Sequence, residues 1–290
     1  MKRFFIWFAG IIGTVAIGLL AWWSVPWLES LSASGRIGVV EIRGTIDSSQ
    51  ETLKAITQFR KDSGIKAIIL RIDSPGGGIG PSQEIYREVR RTISEKPVVA
   101  SLGGVAASGG YYIASASSRI VSNPGTITGS IGVITYFPNL RELFGKIGYD
   151  MVTLKAGKFK DVGNPGREMT PEEKALMQAT LDDAHSQFIG DIAAARRLPE
   201  EKVREIADGR IILGQTARQL GLVDDLGNFE DAVRAAASLG RMEGEPELTF
   251  ARKKKTSLLD LLLGSETSER ISALLDGSAN VLRFQMPTTP

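Results

Sequence analysis

Two glycine-rich stretches, each directly after an apolar run, hold the residues of this chain best suited to chemistry on a carbonyl. The first, Ser74-Pro75-Gly76-Gly77-Gly78, follows the run Lys66–Asp73. Three successive glycines permit a turn whose N–H groups converge on one ligand atom, an anion cradle; a plain glycine-rich connection fits the same letters. A phosphate loop fits them less well, since Gly76–Gly80 gives no G-x-G-x-x-G in register and a proline without an N–H stands among its first residues. The second stretch, Gly103-Gly104-Val105-Ala106-Ala107-Ser108-Gly109-Gly110-Tyr111-Tyr112, sets Ser108 among nearly side-chain-free residues at a helix start. There a substrate carbonyl can approach closely and the N–H of Gly109 is free. It has the form of a nucleophile elbow, although G-x-S-x-G would need glycine at Ala106, and a small-residue helix start packed on a neighbour explains the same letters. Two such loops at the carboxyl ends of neighbouring strands occupy the place where open α/β sheets build their sites.

A serine nucleophile needs a base. The chain has no cysteine and one histidine, His185, in the polar stretch Asp182-Asp183-Ala184-His185-Ser186-Gln187, which reads as solvated. That leaves lysine, whose reference pKa of ~10.4 must fall near 7 at a cost of about 4–5 kcal/mol, so the base has to be desolvated. Composition alone does not choose among the lysines. Ser63-Gly64-Ile65-Lys66 matches S-x-x-K, but it precedes a strand and has no companion motif, so it reads as chance. The same composition excludes thiolate and histidine-cluster metal sites. Thirty-five Lys and Arg against 33 Asp and Glu leave +2, too little and too mixed for a nucleic-acid surface.

The elements that must position these loops follow from periodicity. Forty-two per cent hydrophobic against 23 % charged residues is ordinary for a folded chain of 290. Arg36–Arg43 alternates as a strand, Gln50–Arg60 carries Leu53, Ile56 and Phe59 at helical spacing, and Lys66–Asp73 and Pro97–Leu102 are apolar enough for a parallel sheet covered on both faces. A helix over Ser82–Ser94 separates the last two. Further on, the sequence predicts strands at Arg119–Ser122 and Asp150–Leu154 and a helix near Asn139–Lys146. A long helix begins at Pro171, marked by Thr170-Pro171-Glu172-Glu173, and shorter helices follow at Glu200–Ala207, Gly214–Leu220 and Asn228–Leu239. This is an α/β chain with a mostly parallel sheet and a helical second half.

Both ends differ from this body. Phe4–Leu28 carries no charge, and as a helix it reaches ~37 Å against a bilayer core of ~30 Å. It predicts an N-terminal transmembrane helix, preferred over a cleaved signal peptide because a secretory apolar core is usually only ~7–15 residues. Lys2 and Arg3 before it put the N-terminus in the cytoplasm and the remainder outside. The expected organisation is an anchor over residues 1–30, a catalytic domain over 31–240 and a C-terminal extension over 241–290. In that extension Arg252–Lys255 and Leu258–Leu263 suit either a helix on anionic lipid or on a neighbouring subunit, or a solvated linker. Val281–Met286 predicts a strand that lies in the substrate groove and limits access.

The N-terminal anchor together with Asp73-Ser74-Pro75-Gly76-Gly77, Ala107-Ser108-Gly109-Gly110-Tyr111-Tyr112-Ile113-Ala114, Thr128-Gly129-Ser130-Ile131-Gly132-Val133 and Lys155-Ala156-Gly157-Lys158-Phe159-Lys160-Asp161 resembles the signal peptide peptidase SppA family in its short form. Each motif alone is weak; their combination, spanning Arg36 to Gly240, is specific. The resemblance implies a Clp protease/crotonase-like fold and a membrane-anchored serine endopeptidase in the cytoplasmic membrane. Such enzymes assemble as ring-shaped homo-oligomers that degrade cleaved signal peptides and other unfolded polypeptide, with no cofactor and no metal. By motif it implies Ser108 as nucleophile, Lys160 as general base and Ser130 as the serine that orients the lysine. Gly109 and either Gly76 or Gly77 would supply the oxyanion N–H groups. Asp161 would favour the charged ammonium of Lys160 if the two met, so it is expected to point elsewhere. The family often completes its dyad between subunits. Two other classes share the glycine loops: a crotonase-like coenzyme A thioester enzyme, which would not need Ser108, Ser130 and Lys160 together, and a catalytically silent membrane scaffold, which would not need an intact dyad.

Overall fold

The computed structural model describes residues 35–251 and the short strand at 283–285. In chain order the strands are β1 (Arg36–Arg43), β2 (Ile65–Ser74), β3 (Gly76–Gly78), β4 (Val98–Ala106), β5 (Arg119–Ser122), β6 (Ile127–Gly129), β7 (Ile211–Leu213), β8 (Asp225–Leu226), β9 (Glu247–Phe250) and β10 (Arg283–Gln285). The helices are α1 (Gln50–Lys61), α2 (Ile79–Thr92), α3 (Gly109–Ser115), α4 (Arg141–Lys146), α5 (Pro171–Arg196), α6 (Glu200–Arg204), α7 (Gly214–Gln219) and α8 (Phe229–Leu239).

The main sheet runs β7-β6-β4-β2-β1-β9, with β5 beside β4 and β8 beside β5. Its pairings are parallel except β6 with β7. A strand buried on both faces sends alternate side chains to opposite layers, and β2 does so. Ile68, Leu70 and Ile72 join the core built with Ile56 and Phe59 of α1, Ile85 and Val89 of α2, Tyr111 of α3 and Phe188 of α5. Ala67 and Ile69 point the other way, onto Ala232, Val233 and Ala236 of α8. The central stretch Ala67–Leu70 therefore has no polar face, because both sides of the strand are buried there, and the charged residues Lys66, Arg71 and Asp73 fall toward its ends.

Most predicted elements are present within a few residues of their expected ends. The long helix begins where its cap requires: Thr170 accepts from the N–H of Glu173, and the Glu173 carboxylate accepts from the N–H of Thr170, at 3.2 and 2.9 Å. The predicted strand at Asp150–Leu154 does not form. Val152 and Leu154 are 81 % and 93 % exposed, so the alternation is there but no neighbouring strand is, and an unpaired segment cannot satisfy a ladder. Strand β9, on the outer edge beside β1, was not anticipated. The expected membrane span at Phe4–Leu28 lies outside the described residues, and among the described residues no helix is long and apolar enough to cross a membrane.

Candidate active site

Ser108 sits between β4 and α3 with φ +51° and ψ −118°, a conformation that a residue with a side chain adopts at a cost of roughly 1–3 kcal/mol. Its Oγ is buried and has no hydrogen-bond partner, which costs about 1–3 kcal/mol more. Among the described residues only Ser108 combines a left-handed backbone with an orphaned buried hydroxyl. Three backbone bonds hold it. Its own N–H donates to the carbonyl of Gly129 at 2.8 Å, its carbonyl accepts from Tyr112, also at 2.8 Å, and the N–H of Ala107 donates to the carbonyl of Ser74 at 3.1 Å. The small neighbours are required by space. A Cβ on Gly110 would stand 2.9 Å from the carbonyl oxygen of Ser74.

Strand β3 is the second wall. Ser74 Oγ accepts from the N–H of Gly76 at 3.1 Å. The carbonyl of Gly76 accepts from Ile46 N–H, and Gly78 N–H donates to the Ile46 carbonyl, both at 2.9 Å. Backbone groups alternate sides along a strand, so the N–H and C=O of Gly77 face the opposite edge. The two candidates left open by the sequence differ in their partners: Gly76 spends its N–H on Ser74, whereas Gly77 turns its bonding groups away from Ile46, toward the edge on which β10 pairs. Only glycine fits here, because a Cβ on Gly77 would lie 2.3 Å from the backbone oxygen of Ile46. The N–H of Gly109 belongs to the first turn of α3, where a helix has no carbonyl of its own to offer.

Ser130 follows Gly129, the residue that anchors Ser108, and is 5 % exposed with φ +50°. Thr126 and Thr128 pin this strand to the end of β4 by donating from their hydroxyls to the carbonyls of Gly103 and Ala106, at 2.7 and 2.6 Å. Ser130 lines a cavity of about 390 Å³ together with Gly132, Leu181, Asp182, His185 and Asp208. The sequence places His185 in solvent; the structure half-buries it, with Nε2 unpartnered. Gln178, Leu181 and His185 recur at helical spacing on the face of α5 that borders the cavity. Polar neighbours on both sides hide that face in the sequence.

Lys160 is exposed and lies in the segment between β6 and α5. The orphaned Oγ of Ser108 shows that the two are not hydrogen-bonded within one chain. Asp161 points elsewhere, as expected: it pairs with Lys155, and it accepts from Arg167 Nε at 3.0 Å. These two partners, Lys155 foremost, hold its carboxyl below the usual range. Lys158 pairs with Glu172 at 2.5 Å. Among the described residues the ammonium of Lys160 has no ion-pair partner, unlike those of Lys155 and Lys158.

A strained, buried serine facing a glycine strand at the carboxyl edge of a mostly parallel sheet is the arrangement a serine hydrolase requires. Comparison with known proteins makes the class specific. Residues 90–243 match the model of Peptidase family S49. The slr0021 protein of Synechocystis sp. is 44 % identical over 220 residues, covering 75 % of this chain and 79 % of that one. The MJ0651 protein of Methanocaldococcus jannaschii is 32 % identical over 231 residues, 79 % of this chain and 74 % of its own. Serine protease SPPA, chloroplastic, of Arabidopsis thaliana is 35 % identical over 234 residues, which are 80 % of this chain but 35 % of the plant protein. The chain belongs to peptidase family S49, a family of serine proteases, and is related to SppA.

Proposed function

We propose that this protein is a membrane-anchored serine endopeptidase on a Clp protease/crotonase-like fold that degrades cleaved signal peptides and other unfolded polypeptide with a Ser/Lys dyad. The observation that carries the reading is the unpartnered, buried Ser108 at positive φ beside the glycine strand β3, whose edge away from Ile46 accepts an added strand, here β10. An extended substrate adds a strand to β3. Ser108 Oγ attacks the scissile carbonyl, Lys160 in its neutral form takes the proton, and the N–H groups of Gly77 and Gly109 stabilise the oxyanion. The amine leaves with a proton returned by the lysine, and water activated by the same lysine hydrolyses the acyl-enzyme. Ser130 aims the lysine.

Since one chain does not join Ser108 to Lys160, we assign the lysine to a neighbouring copy in a ring. The segment bearing Lys160 exposes Ile147 (66 %), Val152 (81 %) and Leu154 (93 %), an apolar surface suited to a second subunit. Covering it also desolvates what it carries, and a lysine acts as a base only when desolvated. In this reading Phe4–Leu28 anchors the chain in the cytoplasmic membrane, with the catalytic body on the far side.

The test uses the full chain in detergent and an unfolded polypeptide substrate. Hydrolysis should be lost in Ser108→Ala and in Lys160→Ala while circular dichroism stays unchanged. Equal hydrolysis by folded Lys160→Ala would remove Lys160 as the base and point to Lys155 or Lys158.

A further inference from the structure

Three elements build the cavity beside Ser130. Ser130 follows β6 and its N–H donates to the carbonyl of Arg210 at 2.8 Å, while the N–H of Gly209 donates to the carbonyl of Ile131 at 3.2 Å. The turn at Asp208–Gly209 is therefore bonded to the strand end that carries Ser130. Helix α5 closes the third side with Gln178, Leu181, Asp182 and His185, around a space of about 390 Å³. Its polar groups are not equally engaged. The Asp208 carboxylate accepts from Nε of Arg210 at 2.8 Å, and that guanidinium holds its carboxyl down to about 2. Asp182 accepts from the side-chain amide of Gln178 at 2.8 Å. Nε2 of His185, in contrast, is buried and has no partner. A buried ring nitrogen left unpaired costs roughly 1–3 kcal/mol, a cost that a donor entering the cavity removes.

We propose that His185 is a positioning residue for the lysine base: its Nε2 accepts a hydrogen bond from the amine of a neighbouring copy's Lys160, which enters this cavity beside Ser130. The inference rests on the Ser/Lys reading and adds a residue to it. A neutral lysine amine has two N–H bonds and one lone pair, and it takes a proton only along the lone pair. With the Ser130 hydroxyl oxygen as its one acceptor, the amine still turns about that hydrogen bond. A second acceptor fixes both N–H bonds and so aims the lone pair at Ser108. That acceptor must be neutral, because a carboxylate in its place favours the ammonium and silences the base. His185 meets the condition with its proton on Nδ1, while the two carboxylates of the cavity are already engaged. Lys160 brings the matching donor, for its ammonium has no ion-pair partner among the described residues. Once the amine holds the serine proton, it keeps both hydrogen bonds and offers its third N–H to the leaving amine. A protonated imidazole has no lone pair to offer, so acid removes the acceptor.

Two variants of the full chain in detergent test it: His185→Leu, which fills the space but accepts nothing, and His185→Gln, whose side-chain oxygen accepts without titrating. At pH 8, with an unfolded polypeptide as substrate, His185→Leu should lose about 10²-fold in kcat at unchanged KM, and His185→Gln should stay within about threefold of wild type. On the acid side log(kcat/KM) should fall with a slope of two in wild type, where lysine and histidine must both be neutral, and a slope of one in His185→Gln. Wild-type kcat in His185→Leu, a loss that glutamine does not restore, or equal slopes would overturn the proposal. The chain has one histidine, so its nitrogen resonances are unambiguous and report the contact without catalysis. In protein carrying nitrogen-labelled histidine, solid-state NMR at pH 8 should show Nε2 unprotonated and its resonance shifted in Lys160→Ala. A protonated Nε2, or a resonance indifferent to Lys160→Ala, overturns the inference. An inactive Lys160→Ala beside a fully active His185→Leu sinks the inference alone, whereas a fully active Lys160→Ala ends the dyad reading and this inference with it. If no form hydrolyses polypeptide, the peptidase reading fails and the NMR result decides the contact.

Discussion

The N–H of Ser108 donates to the carbonyl of Gly129 at 2.8 Å, so the residue just before Ser130 fixes the backbone of the proposed nucleophile. Two serines 22 positions apart in sequence thus sit on one hydrogen-bonded unit, each held at positive φ by its own strand end. Gly129 itself has φ +72°, and a Cβ there would stand 2.9 Å from Ile212. Gly129→Ala should therefore lower both stability and hydrolysis, with the loss in kcat exceeding the loss in folded protein. Thermal unfolding and steady-state kinetics on the same preparation separate the two.

Gly77→Ala tests the β3 wall. Its Cβ would collide with the backbone of Ile46, which cannot rotate aside, so the strand must shift and the oxyanion donor with it. A misplaced donor costs about 10²–10³-fold in kcat. Gly80→Ala is the matched control. It lies in α2, a Cβ there meets nothing within 4 Å, and alanine should leave hydrolysis intact and stabilise by up to ~1 kcal/mol.

A dyad shared between copies makes a sharp prediction for mixtures. Ser108→Ala and Lys160→Ala should each be inactive alone, while rings assembled from equal parts of both should recover about a quarter of wild-type hydrolysis, the chance that a site draws both intact groups. No recovery after subunit exchange, verified by mass spectrometry of the mixed assemblies, would place both groups in one chain. Leu154→Asp should dissociate the ring in sedimentation and lose activity with it.

The start of α5 should make stability depend on pH. Arg167 and the N–H of Thr170 hold the Glu173 carboxyl down to about 2. A depressed carboxylate contributes stability that is complete above its unfolded pKa of ~4.3 and is lost as pH falls from there toward 2. The Tm gap between wild type and Glu173→Gln should accordingly narrow between pH 5 and 3 and stay constant from pH 6 to 8. A gap independent of pH throughout would show that the ion pair carries none of this linkage.

Phe188 joins α5 to the elbow helix: its fully buried ring packs edge-on against Tyr112 of α3, with centroids 4.9 Å apart. Phe188→Ala should cost about 3–5 kcal/mol, measured by denaturant unfolding. A much smaller value would mean that the elbow is held from β4 and β6 alone.

What the sequence determined by itself was local. The nearly continuous apolar run within Lys66–Asp73 pointed to a strand covered on both faces, Thr170-Pro171-Glu172-Glu173 marked a helix start to the residue, and the glycines around Ser108 announced a place where backbone comes close to backbone. Each of these signals lies within a few neighbouring residues, where helix and strand periods and capping chemistry operate. Tertiary structure decided the rest. The alternation at Asp150–Leu154 promised a strand, but a strand needs a partner and none lies beside it. The face of α5 that carries His185 became visible only when β6 and the turn at Asp208–Gly209 closed a cavity over it. Gly77 was separated from Gly76 by Ser74, whose hydroxyl takes the Gly76 N–H, and by Ile46, whose bonds to Gly76 and Gly78 turn the Gly77 groups to the other edge of β3. Likewise the run at 281–286 showed its strand character in its letters, whereas the strand it joins is fixed by the edge that Ile46 leaves open. Hydrogen-bond direction is a property of pairs, and a sequence names only one member of each pair at a time.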